Sequence, residues 1–211
     1  VLFEAPAAAG LLGAFVQATS GGSLYRKASF LLDCLGQQVL PEHVDIDEDP
    51  HVPKGKGSAP FDDEGVRTRP RRVVEAGVVQ GYFLSSYSAR KLGLRTTGHA
   101  GGSQNLRLSS RLTQPGDDLP AMIRKLHRGL FITELMGQGV NMVTGDYSRG
   151  ACGFWIENGE LAFPVSEVTI SLNIDELWKR IDAVGSDLDL RTSTASPTLR
   201  VGKMTVAGAA T

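Results

Sequence analysis

The sequence predicts an α+β domain with a mainly antiparallel sheet and three or four helices. Apolar residues recur with helical spacing in three or four segments and alternate with polar residues in eight or more short ones. Hairpin signals join the short segments, and no regular strand-helix-strand alternation is present. No linker or low-complexity tract divides the chain, so we expect a single domain over residues 1–211.

The helices are predicted from apolar spacing together with capping residues. The small-residue segment Ala7–Ala18 predicts a buried helix that ends before Gly21, and the next segment, Leu24–Gln38, has weaker helical character. Three further helices are bounded by predicted N-caps and stop glycines: Ser85 or Ser86 with Gly93, Asp118 with Gly129, and Asn173 with Gly185. Glu176 is expected to complete a capping box with Asn173.

The strands are predicted from alternation and from turn residues. The segment Val39–Asp47 alternates as a half-buried strand does, and Arg72–Leu84 predicts a hairpin folded about Ala76-Gly77. Strands resume at Leu130, and Asn158-Gly159 predicts a hairpin with a two-residue type I′ turn. A closing strand is expected over residues 199–208.

Composition excludes several classes of function. The chain has 22 Lys and Arg against 23 Asp and Glu, a balance that disfavours direct nucleic-acid binding. No apolar run approaches the roughly 18 to 20 residues of a membrane span. The two cysteines, Cys34 and Cys152, are far apart, and the sequence contains no charged segment followed by an apolar stretch and a cleavage site, as a secretory signal has. We therefore expect a soluble protein of the reducing cytoplasm, with buried and inert thiols.

Two histidine-containing segments are candidates for chemistry. The stretch "HVDIDEDPH" contains His43, His51 and four acidic residues that could gather around a metal, although a strand leading into a solvated acidic loop is favoured. His99, within "TTGHAGG", could act as a base beside a backbone anion site, and a polar glycine-rich turn is the favoured alternative.

The remaining motifs do not form a catalytic constellation. Ser148 lacks the glycine pattern of a nucleophile elbow, because Asp146 occupies the place of the first glycine. Asp62, Asp63 and Glu64 fall in one loop and are interpreted as solvated charge rather than an acid/base pair. Residues alone thus predict a glycine-rich α+β domain without an assigned activity.

Three stretches resemble a known family: residues 20–39, 81–106 and 133–170. They are similar to the C-terminal half of the PmbA-type, also called TldE-type, members of the TldD/PmbA family. The loop "GSAPFDDEGVRTR" and the segment "AVGSDLDLR" share the resemblance, which therefore runs from about residue 1 to residue 208. It implies a TldD/PmbA C-terminal-domain fold. Family members are about twice this length, so we expect an N-terminal domain to be absent from this chain.

The resemblance implies that the zinc site of the family is missing here. TldD-type members are zinc peptidases with an H-E-x-x-x-H motif on a helix and a further cysteine ligand near the C-terminus. Aligned on the shared "LYRK" region, the motif positions fall on Gly13, Ala14 and Ala18, and residues 191–211 contain no cysteine. These residues can neither bind zinc nor activate water. We expect no catalytic residue, metal ligand or cofactor in this chain.

The resemblance therefore implies a non-catalytic subunit of a heterodimeric metallopeptidase that degrades or processes peptides. A TldD-like partner would supply the zinc, and a homodimer is possible in isolation. The candidate contacts with partner or peptide are the loop Asp49–Gly65, through Asp62, Asp63 and Glu64, and the "TTGHAGG" turn, through His99. An independent hydrolase with a different site and a stand-alone peptide-binding protein remain the alternatives.

Overall fold

The computed structural model of the chain describes residues 1–208 and confirms the α+β class. The described part contains five helices and twelve strands, one helix more than expected. In chain order the elements are β1 (Leu2–Phe3), α1 (Ala5–Ala18), α2 (Gly21–Tyr25), β2 (Val44–Glu48), β3 (Arg71–Glu75), β4 (Val78–Val79), α3 (Ser86–Leu92), β5 (Leu106–Ser110), α4 (Leu119–Leu126), β6 (Gly129–Met136), β7 (Asp146–Glu157), β8 (Glu160–Asn173), α5 (Ile174–Lys179), β9 (Ile181–Val184), β10 (Thr194–Ala195), β11 (Leu199–Val201) and β12 (Thr205–Ala207).

The strands form two sheets. A seven-stranded sheet has the order β12-β8-β7-β6-β1-β11-β9, and a five-stranded sheet has the order β10-β5-β2-β3-β4. Only the β1–β6 and β5–β10 pairs of these sheets are parallel, which confirms the prediction of mainly antiparallel pairing. Within residues 1–208, no helix combines the length and the apolar character that crossing a membrane requires.

Helix α1 belongs to the main hydrophobic core and contacts both sheets, through β6 and β10. Its small residues allow this close approach, because Ala and Gly add little volume between helix and strand. Leu12 and Phe15 are fully buried, and the Phe15 ring meets Trp178 edge-on at 6.3 Å between centroids. Pro6 lies in the first turn, where backbone N–H groups have no intrahelical acceptor. The missing N–H of this proline therefore removes no helical hydrogen bond. The predicted helix is present, with one face open to solvent at Gly13.

The predicted helix over Leu24–Gln38 is wrong beyond its first residues. Helix α2 ends at Tyr25, and the chain then makes turns in which Lys27 and Asp33 adopt φ values of 56° and 55°. A left-handed residue interrupts a right-handed helix. The adjoining strand prediction also began too early, since β2 starts at Val44 rather than Val39.

The last helix is shorter than predicted. Helix α5 ends at Lys179 rather than before Gly185, because Ile181–Val184 forms β9 and pairs with β11. Asn173 caps the helix through the Asp175 amide, but Glu176 forms an ion pair with Arg180 in place of the expected capping box. Pairing of β9 with β11 thus outweighs the helical spacing that continues through Ile181.

Other local predictions are confirmed. The Ser85 side chain caps α3 by accepting from the Ser88 amide at 3.2 Å, and Asp118 caps α4 by accepting from the Ala121 amide at 2.9 Å. Helix α3 stops at Gly93 with φ of 67°, as a left-handed C-terminal residue does. Helix α4 ends at Leu126, before the predicted Gly129.

The β7–β8 hairpin turns at Asn158-Gly159 as predicted. Both residues have positive φ, 53° and 78°, which is the requirement of a type I′ turn. A Cβ at Gly159 would lie 3.1 Å from the Cα of Arg124, so α4 restricts this position further.

Replacing Gly159 by Val tests this turn. We expect a loss of about 1 kcal/mol or more in the free energy of unfolding, because a β-branched residue is strained at positive φ and would press against Arg124. Urea unfolding measures the change. Gly116→Val is the control, since nothing lies within 4 Å of its Cβ position. Equal stability of the two variants would contradict the turn assignment.

Candidate functional site

The candidate site is a pocket of about 340 Å³ beside the C-terminal end of α1. Its walls are the end of α1 at Val16, helix α2, the start of α3 at Tyr87, and residues 99–102. These last residues belong to the segment Thr97–Gly102, which we call the glycine-rich turn. Helices α2 and α3 approach closely because Gly21 has no side chain, and a Cβ there would overlap Ser88. Tyr87 and Tyr25 meet edge-on at 5.7 Å across the pocket rim.

The α1 wall lies next to the positions identified as equivalents of a zinc helix. Gly13 is exposed with nothing within 4 Å of its Cβ position, whereas Ala14 and Ala18 are buried in the core. Two of the three positions therefore point away from solvent. Among residues 1–208, no group of three or more His, Cys, Asp or Glu side chains is arranged to hold a metal ion.

The "HVDIDEDPH" stretch supplies structural contacts instead of a metal cluster. The His43 ring contacts the Ser110 hydroxyl at 2.9 Å and the Ile181 carbonyl at 3.1 Å. Asp45 pairs with Arg111, and Asp47 pairs with Arg72. The expected strand is present, but its acidic side is not solvent-facing as expected, because Asp45 is 7% exposed and only Asp47 remains partly exposed.

Glu48 at the end of β2 holds the glycine-rich turn in place. One carboxylate oxygen is 2.8 Å from His99 Nε2 and accepts from Arg71 Nε at 2.7 Å. The other accepts from the Gln104 amide at 2.6 Å. Glu48 is 2% exposed and His99 is 6% exposed, so the contact is removed from water. One buried carboxylate thus connects β2, β3 and the turn that forms the pocket wall.

The charge of Glu48 is stabilised by its surroundings. Burial acts to raise the pKa of this carboxyl, but the hydrogen bond from His99 and the positive charge of Arg71 outweigh it and hold the pKa below its ordinary value. The Arg71 guanidinium lies over the Phe83 ring at 4.7 Å, and His99 meets the same ring edge-on at 5.2 Å. The aromatic ring therefore covers one side of both partners of Glu48.

Both ring nitrogens of His99 contact other side chains of the chain. Its Nδ1 is 2.9 Å from the Thr97 hydroxyl, and its Nε2 contacts Glu48. The order Thr97, His99, Glu48 has the spacing of a nucleophile-base-acid array. The Thr97 hydroxyl, however, accepts from the Leu84 amide at 2.8 Å and donates to the Tyr82 carbonyl at 3.1 Å. These contacts favour the polar-turn interpretation of His99 over a general base.

The structure separates the three acidic contact candidates. Asp62 is only 5% exposed and accepts from the amides of Glu64, Val66 and Ala100 at about 3 Å. These backbone hydrogen bonds outweigh the effect of burial and lower its pKa. Both side chains are engaged in hydrogen bonds within the chain, and contact of Asp62 or His99 with a partner stays a prediction. Asp63 and Glu64 are exposed.

Comparison with known proteins assigns the chain to a family. A family model described as the PmbA/TldA metallopeptidase C-terminal domain matches residues 1–208. The chain belongs to this PmbA/TldD family. The Metalloprotease PmbA of Escherichia coli O157:H7 is 49% identical over 208 residues, which are 99% of this chain and 45% of that relative. The chain thus spans about half the length of the curated relatives it matches.

Solved structures of similar proteins share the fold. A Bacteroides thetaiotaomicron protein, described as a candidate modulator of DNA gyrase, superposes with a TM-score of 0.91 at 32% identity, covering 99% of this chain and 46% of that one. TldE from Thermococcus kodakarensis superposes with a TM-score of 0.82 at 24% identity, covering 98% of this chain and 49% of that one. The TldE match shows the fold alone.

The structural role of two important site residues of this PmbA/TldD-family chain was not predicted from the sequence. Glu48 was grouped with possible metal ligands, and Arg71 was not singled out. A signal for Glu48 was present, since Val44, Ile46 and Glu48 lie on one face of a strand by the period-two rule. A carboxylate that continues an apolar face predicts a buried ion pair. No local pattern indicates that Arg71 and His99 are its partners.

The other nucleophile candidates remain outside the pocket. Ser148 lies exposed in strand β7, not on a strand-to-helix turn. Cys34 is 5% exposed, and burial raises the pKa of its thiol to about 11. Such a thiol stays protonated at neutral pH. The expectation of a buried thiol is met by Cys34 and not by Cys152, which is only partly buried.

Glu48→Gln tests the charge network through pH. Because the folded pKa of Glu48 is depressed, its contribution is complete above the unfolded value, about 4.3, and is lost as the pH falls through the folded value. At pH 7 we expect a loss on the order of 3 kcal/mol, because Arg71 loses its anionic partner. Urea unfolding from pH 7 to pH 3 should show a weaker acid dependence in the variant.

Glu75→Gln is the matched control, since Glu75 forms an exposed pair with Arg72. Its effect should stay within about 0.5 kcal/mol. A Glu48 variant with the stability and the acid dependence of this control would contradict the network.

Proposed function

We propose that this chain is the PmbA/TldE-like, non-catalytic part of a heterodimeric metallopeptidase that degrades or processes peptides. A TldD-like subunit would hold the zinc, and this chain would stabilise that subunit and help enclose the peptide. The observation that carries the proposal is the presence of Gly13, Ala14 and Ala18 on α1. A zinc-peptidase helix needs imidazoles and a carboxylate on one face, and these residues provide neither.

The chemistry of the pocket supports a contact role. Its volume of about 340 Å³ can accept a side chain of a peptide or of a partner subunit, and Tyr25 and Tyr87 offer aromatic surface at its rim. His99, the histidine among the lining residues, is bound to Glu48. The Escherichia coli relative is named a metalloprotease. The proposal attributes the metal chemistry of the assembly to a second subunit.

The proposed location is the cytoplasm. Cys34 and Cys152 are both free thiols, which fits a reducing compartment. The near-neutral charge balance supports peptides and a protein subunit as partners rather than direct contact with nucleic acid. A homodimer in the absence of the partner is compatible with this proposal.

An independent hydrolase is the second candidate, favoured by the metalloprotease name of the relatives. Peptide cleavage distinguishes the two. We expect no cleavage of an unfolded peptide by the chain alone, and cleavage when a zinc-loaded TldD-like subunit is added. Addition of a chelator should abolish that cleavage. A TldD-like subunit with its motif glutamate replaced by Gln is the control and should give none.

The triple change Gly13→His, Ala14→Glu, Ala18→His should not create activity in the isolated chain. Ala14 and Ala18 are buried, and residues that orient metal-bound imidazoles are also needed. Cleavage by the isolated unaltered chain that resists a chelator would overturn the proposal. So would failure to bind any TldD-like subunit.

Asp63→Lys tests the loop as a partner contact. Asp63 is exposed, and its amide donates to the Ala100 carbonyl at 3.0 Å, so the loop places this charge beside the glycine-rich turn. We expect association with a TldD-like subunit to weaken by roughly fivefold, since reversal of an interface charge is unfavourable. Biolayer interferometry measures the dissociation constant. Glu160→Lys, at the exposed start of β8, is the control and should bind as the unaltered chain does.

A further inference from the structure

A second pocket, of about 210 Å³, shares no lining residue with the candidate site. It lies between the loop Val52–Lys56, the start of β5, and the segment Leu190–Ala195. We call it the Lys54 pocket. The loop that forms one wall is part of the Asp49–Gly65 segment already identified as a candidate contact region.

The Lys54 pocket is lined by cations without acidic neighbours among its lining residues. Lys54, Lys56 and Arg107 contribute three positive charges, and no Asp or Glu lines the pocket. Within the described residues 1–208, the side chains of these three form no hydrogen bond or ion pair. Asp47, opposite Arg107 on β2, is instead paired with Arg72 at 3.1 Å. The residues that line the pocket therefore present a net positive charge to an anion, although the Asp47 carboxylate lies on the strand opposite Arg107.

The wall of the Lys54 pocket is fixed by a buried side chain. Asn105 is 7% exposed and accepts from the Gly57 amide at 2.8 Å. Its amide group donates to the Asp49 carbonyl at 2.8 Å and to the Ser58 hydroxyl at 2.7 Å. Gly57 packs so closely that a Cβ would lie 2.8 Å from the Asn105 amide nitrogen. The loop is thus held in one position against β5.

Lys54 occupies an unusual backbone position in this loop. The Gly55 amide donates to the Val52 carbonyl at 3.0 Å, which makes Pro53 and Lys54 the central residues of a turn. Lys54 has φ of 58°, where glycine or asparagine is favoured in such a turn. The turn fixes the backbone of Lys54 beside the pocket that this residue lines.

We propose that the Lys54 pocket binds the C-terminal carboxylate of a peptide. An anion there would meet three cations, and the pocket is large enough for a carboxylate with one small side chain. Thr192 also lines an adjoining cavity of about 360 Å³ beside Pro6 and Ala9 at the start of α1. The residues before the carboxylate would occupy this cavity. The proposal rests on the peptide-processing function and adds the end of the peptide that this chain recognises.

Fluorescence anisotropy of the 211-residue chain with two labelled Gly/Ala hexapeptides tests the proposal. One peptide has a free C-terminal carboxylate, and the other is its C-terminal amide. We expect the free acid to bind about tenfold more tightly at low salt, with the difference decreasing as salt screens the charges. The double variant Lys54→Gly, Arg107→Gln should bind the acid about tenfold more weakly and leave amide binding unchanged.

Lys27→Gly is the matched control, because Lys27 is also exposed and has φ of 56°. It should bind both peptides as the unaltered chain does. Equal binding of acid and amide, or an equal effect of the control, would overturn the proposal. If the pocket bound inorganic pyrophosphate and showed no preference for the acid peptide, it would be a phosphate site, and the proposal would also be overturned. The binding is measured without a TldD-like subunit, so its failure leaves the heterodimer proposal separately testable.

Discussion

The buried carboxylate of Glu48 is the constraint on which the candidate site depends. A charge taken out of water is costly unless it is fully hydrogen-bonded and paired. Glu48 meets this condition only when β2, the Arg71 side chain of β3 and the glycine-rich turn are assembled together. The turn forms one wall of the pocket, so this interaction positions that wall. Asp62 also holds the glycine-rich turn, because its carboxylate accepts a hydrogen bond from the Ala100 amide.

Helix α1 links the fold to the absence of zinc ligands at its motif positions. It packs against strands of both sheets, which requires small or apolar residues on its inner face. Ala14 and Ala18 satisfy this packing requirement, and the resemblance aligns them with the glutamate and the second histidine of the H-E-x-x-x-H motif. Gly13 leaves the outer face open. The same residues that consolidate the core therefore make this helix unsuited to metal chemistry, which is consistent with a supporting subunit.

Features fixed by neighbouring residues were predictable from the sequence. The Asn158-Gly159 turn and the caps Ser85 and Asp118 depend on a few adjacent positions, and all three are confirmed. The end of α5 was not predictable in this way, because Ile181 fits helical spacing equally well. Ile181 is part of a strand because it pairs with Val201, and these two residues are distant in sequence.

The chemistry of the site was predictable in part. Alternation along β2 places Glu48 on the buried face, but a single sequence cannot show which cations compensate it. Asp62 was interpreted as a solvated charge because its loop is polar, and its three amide partners become adjacent only when the loop folds back on itself and onto the glycine-rich turn. Acidic residues in loops are ambiguous for this reason, since local composition does not distinguish an exposed carboxylate from one that organises backbone amides.

The most direct test of the central claim is an NMR measurement of the His99 ring nitrogens. If Glu48 holds the glycine-rich turn, Nε2 of His99 carries a proton that is donated to the carboxylate. Two-dimensional ¹⁵N–¹H spectra should then show a protonated Nε2, with a proton shifted downfield and slow to exchange with water because the contact is buried. A deprotonated Nε2, or a proton in fast exchange with solvent, would contradict the account.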